Sequence, residues 1–319
     1  MRKYGADLDR VNAEVVSDCV DLYYVYPGNY QAPEGCAAEY KWAIEPEIEG
    51  WANGGFTSRL VVSSTELIDE FIAQMPDPSD DRYFEGARQA VAATPDRYRV
   101  GWDFFCLFEA MWFRFGMADI LADMIGAPDR IERLCWAFTE YHKKVATKYA
   151  EVGAHAYFTS DDLGSQETLI FSPGVFRSIF KPCYADLAAH CHKLGLSFWL
   201  HSCGAITPII DDLLEMGVDA IHPIQPVAMD QRAIAEKYCG QVTFLAGIDV
   251  QYLLPQGTPE EVAAGTRELI DTFDREYGGL LVCASNGIMP ETPLANISTW
   301  MHTAEEYGAT KRQSYGKTA

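Results

Sequence analysis

The chain has 319 residues, of which 48% are hydrophobic and 22% are charged, the composition of an ordinary globular protein with a large core. The net charge of −21, without any run of Lys or Arg, argues against nucleic acid and anionic membrane surfaces as partners. No stretch approaches the ~18 apolar residues of a membrane span, and the N-terminus has no signal-peptide pattern. Nine irregularly spaced cysteines indicate free thiols or metal ligands in a reducing compartment, so the expected location is the cytoplasm.

The first part of the chain, residues 1–95, has an irregular pattern. Helices are predicted over 8–18, 64–74 and 82–93, with Ser64 as an N-cap of the second. Strands are predicted over 20–26, 40–44 and 56–62, the last two joined by a Gly-rich turn. This part is expected to form a hairpin and helices that cover the rest of the molecule.

The second part, residues 96–319, alternates short apolar strands with helices of ten or more residues. The strands are predicted over 98–101, 154–159, 197–200, 220–222, 243–247 and 280–283. The helices are predicted over 104–126, 128–153, 173–195, 207–217, 230–238, 259–277 and 293–307. This alternation predicts right-handed βαβ units in a parallel sheet. Six such strands and at least one earlier strand favour a single-domain (β/α)₈ TIM barrel with an N-terminal extension over an open Rossmann sheet, and no glycine-rich phosphate-binding motif is present.

Polar side chains follow the predicted strands where each strand ends. In a barrel these residues form a ring at the face where barrel enzymes perform their chemistry. The ring is nearly free of cations, so it suits a metal, a neutral ligand or a thiol better than a polyanion. Its members are Asp161, Asp162, Gln166, His201, Cys203, His222, Gln225, Asp249, Gln251, Cys283 and Asn286.

The stretch LSFWLHSCG ends a buried strand in a His-x-Cys sequence. Residues two apart on a strand point the same way, so His201 and Cys203 can face one ligand. With Cys283 they make a His plus two Cys set, which is typical of a catalytic zinc site with an open fourth position. The alternative is that His201 is a hydrogen-bonded lid on the core and Cys203 a small buried filler.

The pair Asp161-Asp162 also has two interpretations. One carboxylate serves as a general base or holds a substrate hydroxyl or amine, or else one of them caps the following turn.

Four stretches resemble the uroporphyrinogen decarboxylase superfamily, and most closely its cobalamin-dependent methyltransferase-like branch. They are DDLGSQETLIFSPGVFRSIFKPCY, LSFWLHSCGAITPIIDDLLEMGVDAIHPIQP, AGIDVQYLLPQGTPEEV and CASNGIMPETPLANI. The resemblance runs from about Tyr98 to the C-terminus and implies a (β/α)₈ barrel. The R-Q-A-G-R segment of the true decarboxylases is not found, so the chain is expected to begin further in than its relatives, with the first barrel strand absent or disguised.

The resemblance implies a corrinoid-linked, zinc-dependent methyltransferase. It would move a methyl group between a small methylated compound or thiol and a corrinoid (cobalamin) carried by a partner protein. His201 and Cys203 match the first two zinc ligands of the family, whereas the third family cysteine aligns with Asn286, three residues after Cys283. The alternatives are a uroporphyrinogen decarboxylase-type enzyme and a non-catalytic barrel that binds a corrinoid or tetrapyrrole. The oligomeric state is open, with a homodimer as one expectation.

Under this hypothesis the ring residues take roles in catalysis and binding. Zinc is expected on His201, Cys203 and Cys283, and catalysis is expected to involve Asp161, Asp162 and His201. The substrate is expected to contact Gln166, His222, Gln225, Asp249, Gln251 and Asn286.

Overall fold

The computed structural model describes residues 13, 15, 17–25, 64–73 and 75–316. Within them, seven strands form one parallel sheet in the chain order β1 to β7. The strands are β1 (Cys19–Tyr23), β2 (Tyr98–Asp103), β3 (Ala156–Ser160), β4 (Ser197–His201), β5 (Ala220–His222), β6 (Thr243–Ile248) and β7 (Leu280–Ala284). Each corresponds to a strand predicted from the sequence, so the α/β class and the parallel sheet are confirmed. The predicted strands over 40–44 and 56–62, and the helix over 8–18, lie wholly or largely outside the described residues.

One face of the sheet is the inside of a curled surface. Side chains from β2 to β6, among them Val100, Phe158 and Trp199, form one buried cluster. Cys19 of β1 and Cys283 of β7 pack against this same cluster. Side chains from the first and last strands can meet one cluster only if the sheet curls, as in a TIM-like barrel. The eighth strand of the predicted barrel is not among the described residues.

Helices cover the other face of the sheet. They are α1 (Ile68–Ala73), α2 (Glu85–Ala93), α3 (Phe108–Phe115), α4 (Met117–Gly126), α5 (Pro128–Val152), α6 (Lys181–Lys193), α7 (Ile210–Glu215), α8 (Gln231–Tyr238), α9 (Leu253–Gln256), α10 (Pro259–Phe273) and α11 (Leu294–Tyr315). Ser64 accepts a hydrogen bond from the Glu66 amide at the start of the first helical segment, as predicted. None of the described helices is both long enough and apolar enough to cross a membrane.

The helix predicted over 104–126 is two helices. Gly116 separates α3 from α4 and has φ of +91°, a conformation that glycine adopts without strain and that ends an α-helix. The apolar residues on both sides of Gly116 continue the helical spacing, so periodicity alone did not reveal the break.

The long helix α5 packs on β1 and β2 through Tyr149. Its hydroxyl donates hydrogen bonds to the carbonyls of Trp102, at 2.6 Å, and Leu22, at 3.0 Å. Its ring covers Gly101, where an added Cβ would lie 2.5 Å from the Tyr149 ring. The glycine therefore lets a buried aromatic ring lie directly on the strand backbone.

Candidate metal centre

Two loops that follow neighbouring strands contact each other through their backbones. Gly164, in the loop after β3, is so close to the loop after β4 that a Cβ would lie 2.7 Å from the Ala205 nitrogen. Gly204 has φ of +83°, and a Cβ there would overlap the Gly164 carbonyl. The Ala205 amide donates to the Ser165 carbonyl at 2.7 Å, and the Leu163 amide to Ser202 Oγ at 3.0 Å. The two loops are therefore held together as one unit.

This contact brings three possible metal ligands together. His201 Nε2 lies 3.4 Å from Cys203 Sγ and 3.3 Å from Asp162 Oδ1. The Cys203 amide donates to the same carboxylate at 2.9 Å. The three donor atoms lie within 4.8 Å of one another, and they are the one such group of three or more His, Cys, Asp or Glu side chains among the described residues.

Hydrogen bonds indicate which ring nitrogen of a neutral His201 carries no proton. His222 Nε2 lies 3.2 Å from the Ala284 carbonyl, which only accepts, so this nitrogen carries the proton of a neutral ring. Burial, followed by the neighbouring His201, lowers the pKa of His222 to about 3, in keeping with the neutral form. His222 Nδ1 is then the acceptor for His201 Nδ1–H, at 2.6 Å. The lone pair of His201 Nε2 is left facing Asp162 and Cys203.

The sulfur of Cys203 receives two amide hydrogen bonds. Asn286 Nδ2 donates to Sγ at 3.0 Å and Gln225 Nε2 at 3.6 Å, while the Gly204 amide holds Gln225 Oε1 at 2.7 Å. Burial, and then the charge of Asp162, raises the pKa of the Cys203 thiol. Burial would also raise the pKa of Asp162, but the positive charge of a protonated His201 ring and the hydrogen bond from the Cys203 amide hold it below its usual value; an ion bound to the neutral ring would supply the same charge. The carboxylate is thus ionised, whereas the thiol needs a cation to become a thiolate.

Zinc fits this donor set. A tetrahedral ion with ordinary Zn–N, Zn–S and Zn–O bond lengths separates nitrogen from sulfur by about 3.6 Å and nitrogen from oxygen by about 3.3 Å. The corresponding distances here are 3.4 Å and 3.3 Å. One thiolate and one carboxylate balance the charge of a divalent ion, and three protein ligands leave the fourth position for a substrate atom.

Asp161 does not face this group. Its carboxylate is fully buried and accepts hydrogen bonds from the amides of Leu107, Phe108 and Glu109, at 3.1, 2.8 and 2.6 Å, and from the Tyr184 hydroxyl. It therefore caps the N-terminus of α3, a helix earlier in the chain, and not the following turn that the capping alternative named. Burial raises its pKa to about 6 against these hydrogen bonds. A catalytic role for Asp161 stays a prediction.

Glu109, in the first turn of α3, is a buried acid near the centre that the sequence interpretation did not single out. It accepts a hydrogen bond from Ser160 Oγ at 3.2 Å. Burial, then the charges of Asp162 and Asp161, raises its pKa well above its usual value, which favours the neutral acid. The signal in the sequence was a single acid within the apolar run over 104–113.

Cys283 lies within β7, with Gly247 of β6 as its register partner, and packs on the inner cluster. It does not belong to the group of three donors, in which Asp162 takes the third place. Cys283 as a metal ligand stays a prediction. Burial raises the pKa of its thiol.

The remaining ring residues are spread around the strand ends. Asp249 accepts hydrogen bonds from the amides of Gln251, Tyr252 and Leu253, so it caps α9. Gln251 is exposed beside it, and Gln166 is exposed in the turn closed by Ser165 and Thr168. Three of the predicted substrate contacts hydrogen-bond to the donor group: His222, Gln225 and Asn286. The described hydrogen bonds around Gln166, Asp249 and Gln251 are instead made within their own loops.

We predict that His222→Phe lowers the zinc affinity of the protein by about 10–100-fold, because His201 Nδ1–H loses its acceptor and its ring is no longer held. The measurement is competition with a chromophoric zinc chelator. His192→Phe is the control, since His192 pairs with Asp219 on another surface. Equal affinities of the His222 variant and the control would contradict the tautomer assignment.

The chain is similar to known proteins over more than half of its length. The sequence profile of the family described as uroporphyrinogen decarboxylase (URO-D) matches residues 108–307. The chain is 26% identical over 184 residues to the methylated-thiol–coenzyme M methyltransferase of Methanosarcina mazei, covering 56% of this chain and 45% of that protein. It is 25% identical over 183 residues to the methylcobamide:CoM methyltransferase MtaA of Methanosarcina barkeri, covering 57% and 50%. The chain thus spans about half the length of the curated relatives it matches.

A solved structure shares the fold. A methyltransferase from Methanosarcina mazei superposes with a TM-score of 0.59 at 20% identity, over 69% of this chain and 62% of that chain. The family profile covers more than half of the chain, and the resemblance found in the sequence motifs is confirmed. The chain belongs to the uroporphyrinogen decarboxylase (URO-D) family, and its relatives align it with the cobalamin-dependent methyltransferase-like branch of that superfamily.

Proposed function

We propose that this protein is a zinc-dependent methyltransferase that moves a methyl group between a small methylated compound or thiol and a corrinoid bound to a partner protein. The observation that supports it best is the donor group of Asp162, His201 and Cys203, in which the distances from His201 to the other two donors match the edges of a tetrahedral zinc site. The curated relatives are named as methyltransferases of methylated thiols and methylcobamide, which supports the same chemistry.

Zinc bound here would act as a Lewis acid on a substrate sulfur or oxygen atom at the fourth position. The residues of the chain prepare this position before substrate arrives. The neutral His201 ring presents the Nε2 lone pair, and the hydrogen bond that its Nδ1–H donates to His222 Nδ1 keeps the ring in that tautomer. Cys203 must lose its thiol proton when it becomes a ligand, and the amide N–H groups of Asn286 and Gln225 stabilise the charge that develops on its sulfur.

Glu109 lies beside the donor group and affects its net charge. As a neutral acid it adds no further anion next to Asp162 and Cys203, so the donor group and a divalent ion remain electrically balanced. Its carboxyl group accepts a hydrogen bond from Ser160 Oγ and is buried within the protein. We assign it a supporting electrostatic role.

The architecture around the centre belongs to the same proposal. We infer that the curled sheet closes as a (β/α)₈ barrel with an eighth strand, that the division at residue 95 marks the start of the regular βα units, and that the corrinoid protein approaches the carboxyl ends of the strands. The convergence of β1 and β7 on one inner cluster supports this closure.

The test is a methyl-transfer assay with methylcobalamin and a small thiol, followed by the corrinoid absorbance. Wild-type protein loaded with zinc is expected to demethylate methylcobalamin in the presence of thiol. His201→Ala is expected to be inactive and to purify without zinc, as measured by mass spectrometry. A zinc-free wild type that is fully active would overturn the zinc mechanism, and inactivity with every thiol and methyl compound tried would overturn the methyltransferase assignment.

A further inference from the structure

Three stacked aromatic side chains at the carboxyl ends of the first two strands are defined here as the aromatic wall: Tyr23 of β1, Trp102 of β2 and Phe104 just after β2. The ring planes are nearly parallel, with interplanar angles of 7° between Tyr23 and Phe104 and 27° between Trp102 and Phe104. Tyr23 is 53% exposed and Phe104 49% exposed. Large aromatic side chains left this open, with their planes aligned, form a surface suited to a ligand.

A series of contacts between rings connects the aromatic wall to the metal centre. The Trp102 and Phe158 ring centroids are 3.9 Å apart, and Phe158 contacts the ring of His222 edge-on at 5.8 Å. His222 in turn holds the ligand His201. Two rings, those of Phe158 and His222, therefore connect Trp102 of the wall to His201.

The surroundings of the wall are acidic. Asp21 accepts hydrogen bonds from Trp102 Nε1 at 2.7 Å and from the Tyr23 hydroxyl at 3.3 Å. Burial, then the charges of Asp18 and Asp21, raises the pKa of Cys19 to about 11, which agrees with carboxylates close to β1. Donation to a carboxylate leaves more electron density on the indole and phenol rings, which strengthens their attraction for a cation.

The two arginines that lie nearest to the aromatic wall in the sequence do not offset the negative charge of Asp21. Arg97 donates to the Ser17 carbonyl at 2.8 Å and Arg99 to the Gly153 carbonyl at 2.6 Å. Both carbonyls precede strands, so these two cations lie at the amino ends of the strands, opposite the centre. Aromatic faces with an adjacent carboxylate are the arrangement that recognises methylated cations, whereas a sulfonate or carboxylate ligand would need a cation here.

We propose that the substrate carries a quaternary ammonium group, which binds on the aromatic wall of Tyr23, Trp102 and Phe104 beside Asp21. This deepens the proposed function, because it assigns a chemical class to the small substrate of the same site. The permanent positive charge and the methyl groups of such a compound match the acidic rim and the apolar ring faces together.

The test compares choline with its neutral carbon isostere, 3,3-dimethylbutan-1-ol, by calorimetric titration of the full chain. Choline is expected to bind about tenfold more tightly than the isostere. Asp21→Asn and Phe104→Leu are each expected to remove most of this preference. Phe104 is half exposed, so its replacement leaves the inner cluster intact, and a thermal melt checks that both variants fold.

Two outcomes would overturn the assignment. Equal binding of choline and the isostere would remove the role of charge, and tighter binding of the planar neutral ether 2-methoxyphenol would indicate an aromatic substrate instead. His201→Ala separates this proposal from the methyltransferase assignment, because it lacks the metal centre but keeps the wall. Choline binding by that variant supports the wall even if no methyl transfer is found, and transfer activity without choline binding contradicts only the wall.

Discussion

Replacing Asp162 by Asn is expected to lower the zinc affinity of the protein by more than about 100-fold, since loss even of an outer partner of a metal ligand costs about 10–100-fold. The carboxylate lies 3.3 Å from His201 Nε2, and it is the ionised donor of the group. The amide removes the charge and offers a weaker ligand atom. Competition with a chromophoric chelator measures the affinity, and circular dichroism checks the fold.

Cys283→Ser is the matched control for this experiment. Cys283 was the third ligand predicted from the sequence, and it lies in β7 outside the donor group. The serine variant is expected to bind zinc within about threefold of wild type, because no ligand is removed. The opposite pattern, with weak binding in Cys283→Ser and normal binding in Asp162→Asn, would establish Cys283 as the ligand and remove Asp162 from the centre.

Asp161→Ala is expected to lower the free energy of unfolding by about 3 kcal/mol, because each buried donor left unpaired costs roughly 1–3 kcal/mol. The change removes the acceptor of three amides at the start of α3 and of the Tyr184 hydroxyl. The expected loss is smaller than the summed cost of the unpaired donors, because removing a buried carboxylate also removes the cost of its desolvation. Urea unfolding followed by circular dichroism measures the difference.

Asp249→Ala provides a comparison at a second, more accessible cap. Asp249 also accepts three successive amides, at the start of α9, but it is only partly buried and two of the donors, Gln251 and Tyr252, are exposed, so water can replace the lost acceptor. Its loss is expected to cost about 1 kcal/mol. Equal losses in the two variants would show that burial does not set the energy of the Asp161 cap.

The strands were predictable because their signal is local. The apolar run that predicted 197–200 is β4 (Ser197–His201), and the short strand predicted over 220–222 is β5 with the same bounds. Strands of a parallel sheet are buried on both faces, so their residues form continuous apolar runs that the sequence displays directly. The break at Gly116 was missed because apolar spacing continues across it.

The candidate centre was predictable only in part. His201 and Cys203 follow from one strand end, but the third donor depends on how a distant loop folds. Asp161 and Asp162 are adjacent and point to opposite sides, one into the helix layer and one toward the donor group. The sequence pattern did not decide which side each takes. Glu109 was recognisable only as an acid in an apolar helix, without an indication of which charges surround it.

The contact between Gly164 and Gly204 couples the sequences of the two loops that carry the metal centre. Neither loop can accept a side chain at this contact without displacing the other, so a change in one requires a compensating change in its neighbour. Asp162 comes from the first loop and Cys203 from the second, and the contact fixes their separation before an ion arrives. Exchanging either loop alone between relatives should disturb the spacing of the metal ligands, whereas exchanging both loops together should transfer the intact donor group.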